Sequence, residues 1–451
     1  YRDLALNLLD TPGHNDFSED TYRTLTAVDA VLMVIDAAKG VETQTRKLLE
    51  VCRRQRTPVI SFVNKLDLGA QEPLALLDEL EVELGMAPCP FTWPMGSGPH
   101  FKGVYDLRER NLVLYKHAER GRISERELIK DLNDPLVDKL LEGDAGVLRD
   151  EVALLEGAAA SWDAAAFANG RMTPVFFGSA LNNFGVRELL DAFCDLAPPP
   201  QPRATRSRIV EANEAKFSGF VFKIQANMDP RHRDRMAFLR VCSGRFVRGM
   251  RLHHVRTGKD VVVRNAMTFL GRDRDIVEEA WPGDIIGIPN HGTIRIADTF
   301  TEGEKLEFTA LPKFAPELFR RCRLRDPMRQ KAMAKGLMQI CEEGAAQLFR
   351  PVIGADWIIG ALGPLQFEVI AARLKDEYQV DAVFEGSAMR FCRWVKFKAG
   401  TDAVVFEARY GADLFRDERN NICLLTETRF RSDYIAEQNP GITLHTTMEL
   451  A

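Results

Sequence analysis

Short apolar runs alternate with amphipathic stretches through the first two hundred residues. Leu4–Leu9 (LALNLL), Ala30–Ile35 (AVLMVI), Val59–Val63 (VISFV) and Pro174–Phe177 (PVFF) are each dense enough to fill a strand buried on both faces. Helical spacing separates them over Ser18–Thr26, Glu42–Arg54, Leu74–Leu84 and Val186–Leu196, with Ser18 as an N-cap ahead of Glu19 and Asp20. Such alternation predicts right-handed βαβ units and a parallel sheet. From Pro88 the pattern breaks into Pro- and Gly-rich turns, a hairpin (Val104–Leu107, Leu112–Tyr115) and acidic helices to Ala168. This stretch, about 88–167, is read as an insertion.

Ala197–Arg203 (APPPQPR) suits neither a helix nor a central strand and is read as a stiff linker. From Phe217 to Leu311 short alternating runs are divided by Gly and Asp turns, which predicts a small antiparallel β-barrel with Phe217, Phe220 and Phe222 in its core. Beyond Lys313 the pattern mixes. A long amphipathic helix is expected over Gln330–Phe349, a strand over Trp357–Leu362, a helix over Leu365–Glu377, an extended run over Val380–Phe384 and a tail of strands to Ala451. The expected domains are 1–200, 204–311 and 312–451, the last an α+β domain.

At 451 residues the chain exceeds what one core can organise, in keeping with that division. It contains no run of eighteen apolar residues, so no membrane span is expected. The eight cysteines are scattered, without C-x-x-C or Cys/His clustering, which argues against zinc and for a reducing, cytoplasmic setting. A net charge of −5 by itself argues against a generic nucleic-acid coat. Two basic stretches stand out against it, Arg231–Arg264 and Arg320–Lys331, each either a phosphate-facing surface or an ordinary solvated face. His253-His254 reads as an alternating strand pair and not as a ligand pair.

Three of the expected strands end in loops with chemical content. The first is Asp10-Thr11-Pro12-Gly13-His14. A carboxylate closing a buried strand can hold a water bound to Mg²⁺, which makes Asp10 the expected metal residue. Gly13 lets a backbone N–H approach a terminal phosphate, and His14 is placed to face an attacking water. The second loop is Asn64-Lys65-Leu66-Asp67. A carboxylate at Asp67 can accept from both N1–H and N2–H₂ of guanine, a donor pair that adenine lacks, giving roughly 10⁴–10⁵ in discrimination. Asn64 can bond the base edge or tie the loops together, and the Lys65 stem can lie along the base plane. The third loop, Gly178-Ser179-Ala180 with Leu181, brings small residues whose N–H groups can reach guanine O6. Together they describe a site for GTP and GDP.

With these residues in view, the chain resembles the translational GTPases, and within them most closely the peptide chain release factor 3 family. The most specific stretches are DTPGHNDFSEDTYRTLTAVDAVLMVIDAAKGVETQT from Asp10, FVFKIQANMDPRHRDRMAFLRVCSG (220–244) and LRDPMRQKAMAKGLMQICEEGAAQLF (324–349). The resemblance implies a monomeric, ribosome-dependent GTPase of translation termination that promotes release of class-1 release factors. Its partners would be ribosomal RNA and proteins and those factors. It implies that His14 orients the attacking water, that Asp10 and Gly13 serve Mg²⁺ and the γ-phosphate, and that Asn64, Lys65, Asp67, Ser179 and Ala180 hold the base. No G-x-x-x-x-G-K-[ST] occurs, and the sole Gly-Lys pair, Gly258-Lys259, is followed by Asp260. The family's phosphate loop and first switch are therefore expected upstream of Tyr1, and the chain alone is expected to bind GTP weakly. Two other readings are an elongation factor G-like or ribosomal-protection GTPase, and a non-enzymatic ribosome-binding module.

Overall fold

A computed structural model describes residues 1–11, 18–115, 126–141, 143–226, 235–270, 273–309 and 312–449. It divides into two units, residues 1–6 with 28–199 and residues 7–27 with 200–451, so α1 (Ser18–Thr26) belongs to the second. The strands of the first unit are, in chain order, β1 (Val31–Asp36), β2 (Val59–Asn64), β3 (Ala87–Pro90), β4 (Thr92–Met95), β5 (Gly103–Asp106), β6 (Asn111–Tyr115), β7 (Arg126–Ile129) and β8 (Met172–Phe177). They form two sheets. The order β1-β2-β8-β3 is parallel throughout, and β4-β5-β6-β7 is an antiparallel meander.

The helices of this unit are α2 (Thr43–Gln55), α3 (Pro73–Leu84), α4 (Pro135–Leu141), α5 (Ala145–Ala158), α6 (Ala164–Ala168) and α7 (Val186–Leu196). α3 starts with Pro73 in its first turn, where a missing N–H costs nothing, buries Leu76, Leu77, Leu80 and Leu84, and stops at Gly85 in the left-handed region. α7 turns Leu189 and Ala192 onto a core that contains Ile60, Phe62 and Phe176 from β2 and β8. This is the expected α/β architecture.

Two expectations here need correction. Leu4–Leu9 forms no strand: Leu4, Leu6 and Leu8 are exposed, and β1 is an edge of its sheet. The run is divided, Tyr1–Leu6 going with the first unit and Asn7 onward with the second. Tyr1 and Arg2 bond Asp191 and Asp195 on α7, whereas Asn7 bonds Asp284 and Leu9 packs on the second unit's core. An apolar run becomes a strand only where a ladder receives it, and here none does. The break placed at Pro88 also lies slightly early in the chain, because Ala87–Pro90 pairs in parallel with Met172–Val175 before the meander begins.

The second unit contains two eight-stranded antiparallel sheets. The first runs Lys259–Val262, Arg251–His254, Thr299–Thr301, Ser218–Ala226, Arg235–Ser243, Ile285–Pro289, Met267–Leu270, Asp273–Ile276. It surrounds one core that includes Phe217, Phe220 and Phe222, as the alternation predicts. Among the described residues its two outer strands do not pair with each other. His254 is buried there, bonded to Asp298 at 2.7 Å and stacked on Phe300, while His253 bonds Asp260, so the pair is structural.

The second sheet runs Ala382–Gly386, Leu318–Leu324, Ile358–Ala361, Gln347–Pro351, Leu414–Arg416, Ile422–Thr426, Phe391–Phe397, Ile442–His445. α8 (Gln330–Glu342) and α9 (Pro364–Tyr378) pack on it through Leu337, Ile340, Phe367, Ile370 and Leu374. α8 ends earlier than the expected Phe349. Gly344 adopts a positive φ of 83°, its carbonyl accepts from Arg23 of α1 at 2.9 Å, and Gln347–Phe349 enters the sheet. A Cβ at Gly344 would collide with the Arg23 guanidinium. The tail read as strands also contains two helices, α10 (Ala403–Tyr410) and α11 (Arg429–Gln438), capped by the side chains of Asp402 and Thr428.

The first and last strands of this half, Pro312–Phe314 and Thr447–Glu449, pair with each other. Lys313, in the first of them, belongs to a buried charge cluster. It bonds Asp417 and Glu418, and Asp417 also accepts from Trp394 Nε1 and Asn421. Burial alone would lower the Lys313 value, yet the two carboxylates hold it above the usual lysine range. Removing one partner leaves buried charge uncompensated. Lys313→Ala is expected to cost about 3–5 kcal/mol in chemical denaturation; a loss below about 1 kcal/mol would contradict the role given to this cluster.

Candidate functional site

β2 and β8 are hydrogen-bonded neighbours in register, Ser61 opposite Val175 and Val63 opposite Phe177. The loops that leave their carboxyl ends are therefore adjacent by construction. The ladder runs on into them, with Gly178 N–H donating to Val63 O (2.9 Å) and Leu66 N–H to Gly178 O (3.2 Å). Asn64 Oδ1 then accepts two backbone N–H groups, from Lys65 and from Ala180 in the other loop, each at 2.8 Å. Of the two roles open to Asn64, its oxygen takes the tying one. Its amide nitrogen has no partner among the described residues, so it keeps a donor for a ligand.

Lys65 lies at a φ of 69°, a left-handed conformation that an L-residue seldom adopts. Its stem carries the ammonium across to Asp36 at the end of β1, 2.7 Å away. Lys65, aided by the Ala38 N–H and against the effect of burial, holds the Asp36 carboxyl below the usual carboxylate range. Leu66 is fully buried and anchors the loop. Asp67 is half-buried; its Oδ2 accepts from Asn182 Nδ2 at 2.9 Å and its Oδ1 has no partner among the described residues. Ser179 is buried, while Ala180 and Leu181 are exposed on the same rim. The Ala180 N–H is already satisfied by Asn64. The structure thus brings Asn64, Lys65, Leu66, Asp67, Ser179, Ala180 and Leu181 together.

The rim also includes two residues that the sequence reading does not single out. Asp36 closes the AVLMVI run just as Asp10 closes LALNLL, a signal that was available. Asn182 orients Asp67 and also donates to Ser179 Oγ at 3.2 Å. Nothing in a Leu-Asn-Asn turn announces that role.

The first loop stands differently. Asp10 is exposed and Thr11 half-buried, with no strand before them, so Asp10 does not occupy the strand end expected of it. Pro12, Gly13 and His14 lie outside the described residues, as do the side chains of Ser18 and Glu19. Within the second unit the helix that follows is firmly held. Arg203 and Arg240 donate to the carbonyls of Thr26 and Ala27, satisfying the open end of α1, and Tyr22 packs on Phe314.

The basic stretches are neutralised in part; Arg231 and Arg233 lie outside the described residues. Arg321 and Arg323 face Asp356, Arg323 also faces Glu385, Arg325 faces Asp381, and Arg320 covers the Phe367 ring. Arg235, Arg245, Arg248 and Arg256 likewise meet Glu343, Glu279, Glu278 and Asp298. Arg251, Lys259, Arg264, Arg329 and Lys331 of the same stretches are exposed, and surface pairs of the kind above are individually weak. No helix among the described residues is long and apolar enough to cross a membrane.

Three family models match the chain in succession. Residues 1–199 match the Elongation factor Tu GTP binding domain, 216–303 the Elongation factor G domain 2, and 308–436 the Class II release factor RF3, C-terminal domain. The chain belongs to the translational GTPases. Among these it is most like release factor 3, through the model matched by its last part. A crystal structure of a protein from Thermus thermophilus superposes with a TM-score of 0.65 at 22% identity, covering 90% of this chain. That likeness shows the fold, a parallel-sheet domain followed by antiparallel-sheet domains. This translational GTPase chain spans 61% of the Thermus protein's length.

Proposed function

We propose that this chain belongs to a ribosome-dependent GTPase that acts at termination, using GTP to promote departure of class-1 release factors from the ribosome. We assign its work to domains at 1–200, 204–311 and 312–451. The observation that carries the nucleotide assignment is the cross-link of the two loops through Asn64 and Asn182, which leaves Asp67 ready to accept. A carboxylate oxygen has two lone pairs, so Asp67 keeps room for two donors, one on Oδ1 and one beside Asn182 on Oδ2. Guanine N1–H and N2–H₂ are such a pair, and the unpartnered amide of Asn64 suits N7. Adenine would leave Asp67 facing its N1 acceptor. The termination assignment is supported by the match of residues 308–436 to the release factor 3 domain.

Asp10 is an exposed oxygen donor that would hold Mg²⁺ through water, and the ion when bound neutralises charge on the phosphates. Gly13 would bring its backbone N–H to the terminal phosphate beside Thr11 and Pro12 of the same loop, and His14 would orient the water that attacks it. The cytoplasm is the natural setting for such a factor.

The role is tested with the full-length protein on termination complexes that carry a class-1 release factor. GTP is expected to speed departure of that factor; no acceleration would overturn the assignment, and faster translocation instead would indicate an elongation-type factor. Asp67→Asn is expected to weaken GTP binding by roughly 10–100-fold and to improve binding of xanthosine triphosphate, whose carbonyl prefers a donor. Competition assays with unaltered preference would contradict the assignment. His14→Ala should leave GTP binding intact and cut ribosome-stimulated hydrolysis by about 10²–10³, as read in single-turnover kinetics.

A further inference from the structure

We propose that the meander β4–β7 is a splint for the base-reading loops, with Tyr115 and Phe184 as positioning residues. The proposal rests on the guanine-nucleotide reading of the rim above. The third loop is closed by one pair of residues: Ser179 and Phe184 exchange both backbone hydrogen bonds, each 2.9 Å. Wherever Phe184 is held, Ser179 is held too. From the four residues between them come the Ala180 N–H on Asn64 Oδ1 and the Asn182 amide on Asp67 Oδ2. The position of Phe184 is thus passed directly to the two side chains that face the base.

The Phe184 ring is fully buried, and the meander supplies its cover. Tyr115, the last residue of β6, stacks on it with centroids 4.7 Å apart and planes within 7°. Phe101, just before β5, adds a tilted contact at 6.1 Å. Tyr115 is itself anchored, its hydroxyl donating to the buried Glu188 of α7 at 2.8 Å. On the backbone side there is no slack, since a Cβ at Gly178 would collide with the Phe184 carbonyl. The meander also reaches the loop of Asp67, for a Cβ on Gly98 would come within 3.7 Å of the Gly69 amide nitrogen. One small sheet therefore supports both loops.

Ordinary core packing would affect how much protein folds but not how folded protein distinguishes bases. The test therefore reads discrimination. In the full-length protein, GDP dissociation is timed with a fluorescent analogue, and affinities for GDP and inosine diphosphate, which lacks the 2-amino group, are compared. Tyr115→Ala is expected to speed GDP dissociation about tenfold and to lower the GDP-over-inosine-diphosphate preference severalfold. Tyr115→Phe, which keeps the stacked ring, is expected to restore most of both. Wild-type rates and preference in the folded Tyr115→Ala protein would overturn the proposal. Should that variant not fold, Phe101→Leu, which removes the more distant ring, is read in the same way. If the unaltered protein shows no preference for GDP over adenosine diphosphate, the fault lies with the guanine reading and not with the splint.

Discussion

The site depends on the parallel ladder between β2 and β8. Because the two strands are in register and adjacent, their carboxyl-end loops emerge side by side, and a single side-chain oxygen on Asn64 is enough to join them. A shift of β8 by one residue would reverse which side chains face each sheet surface. It would also carry Ala180 and Asn182 away from Asn64 and Asp67. The ladder is locked twice over: Phe176 and Phe177 are fully buried, and Leu66 and Gly178 continue the hydrogen bonding beyond the strands. The arrangement of the two loops is thus a by-product of core packing in this half of the molecule.

How much of this the sequence disclosed varies with how local the determinant is. The strands ending in Asn64 and in Phe177 are legible because they are short, wholly apolar and bounded by turn residues, and the loops after them carry their chemistry in consecutive positions. Leu4–Leu9 has the same look and forms no strand, because strand formation needs a receiving edge that a run of letters does not reveal. The end of α8 is partly hidden for a related reason. Apolar spacing continues through Leu348 and Phe349, and the local stop signal, Gly344 at a positive φ, is fixed in place by contact with distant Arg23. α10 and α11 had cap signals in Asp402 and Thr428, but too few apolar positions for their period to stand out.

The site shows the same division. Asn64 and Asp67 are legible as a pair because both roles are stated within four residues. Asn182 and Phe184 act through tertiary contacts with Asp67 and Tyr115, more than a hundred and about seventy residues away along the chain, so no window around them hints at their work. The basic stretches show the converse. Their charge is conspicuous in the sequence, whereas the partners that offset part of it, such as Asp356, Asp381 and Glu343, are scattered along the chain.

The pairing of Pro312–Phe314 with Thr447–Glu449 has a consequence in time. A chain emerges from the ribosome amino end first, and its parts fold as they become available. Here the opening strand has to wait for a partner made more than a hundred and thirty residues later, and Lys313 stays hydrated until Asp417 and Glu418 have also appeared. The core of Leu337, Ile340, Phe367 and Ile370 needs nothing made so late, but closure of this strand pair is a late event, and a polypeptide released too early would leave the first strand stranded with its cation in water.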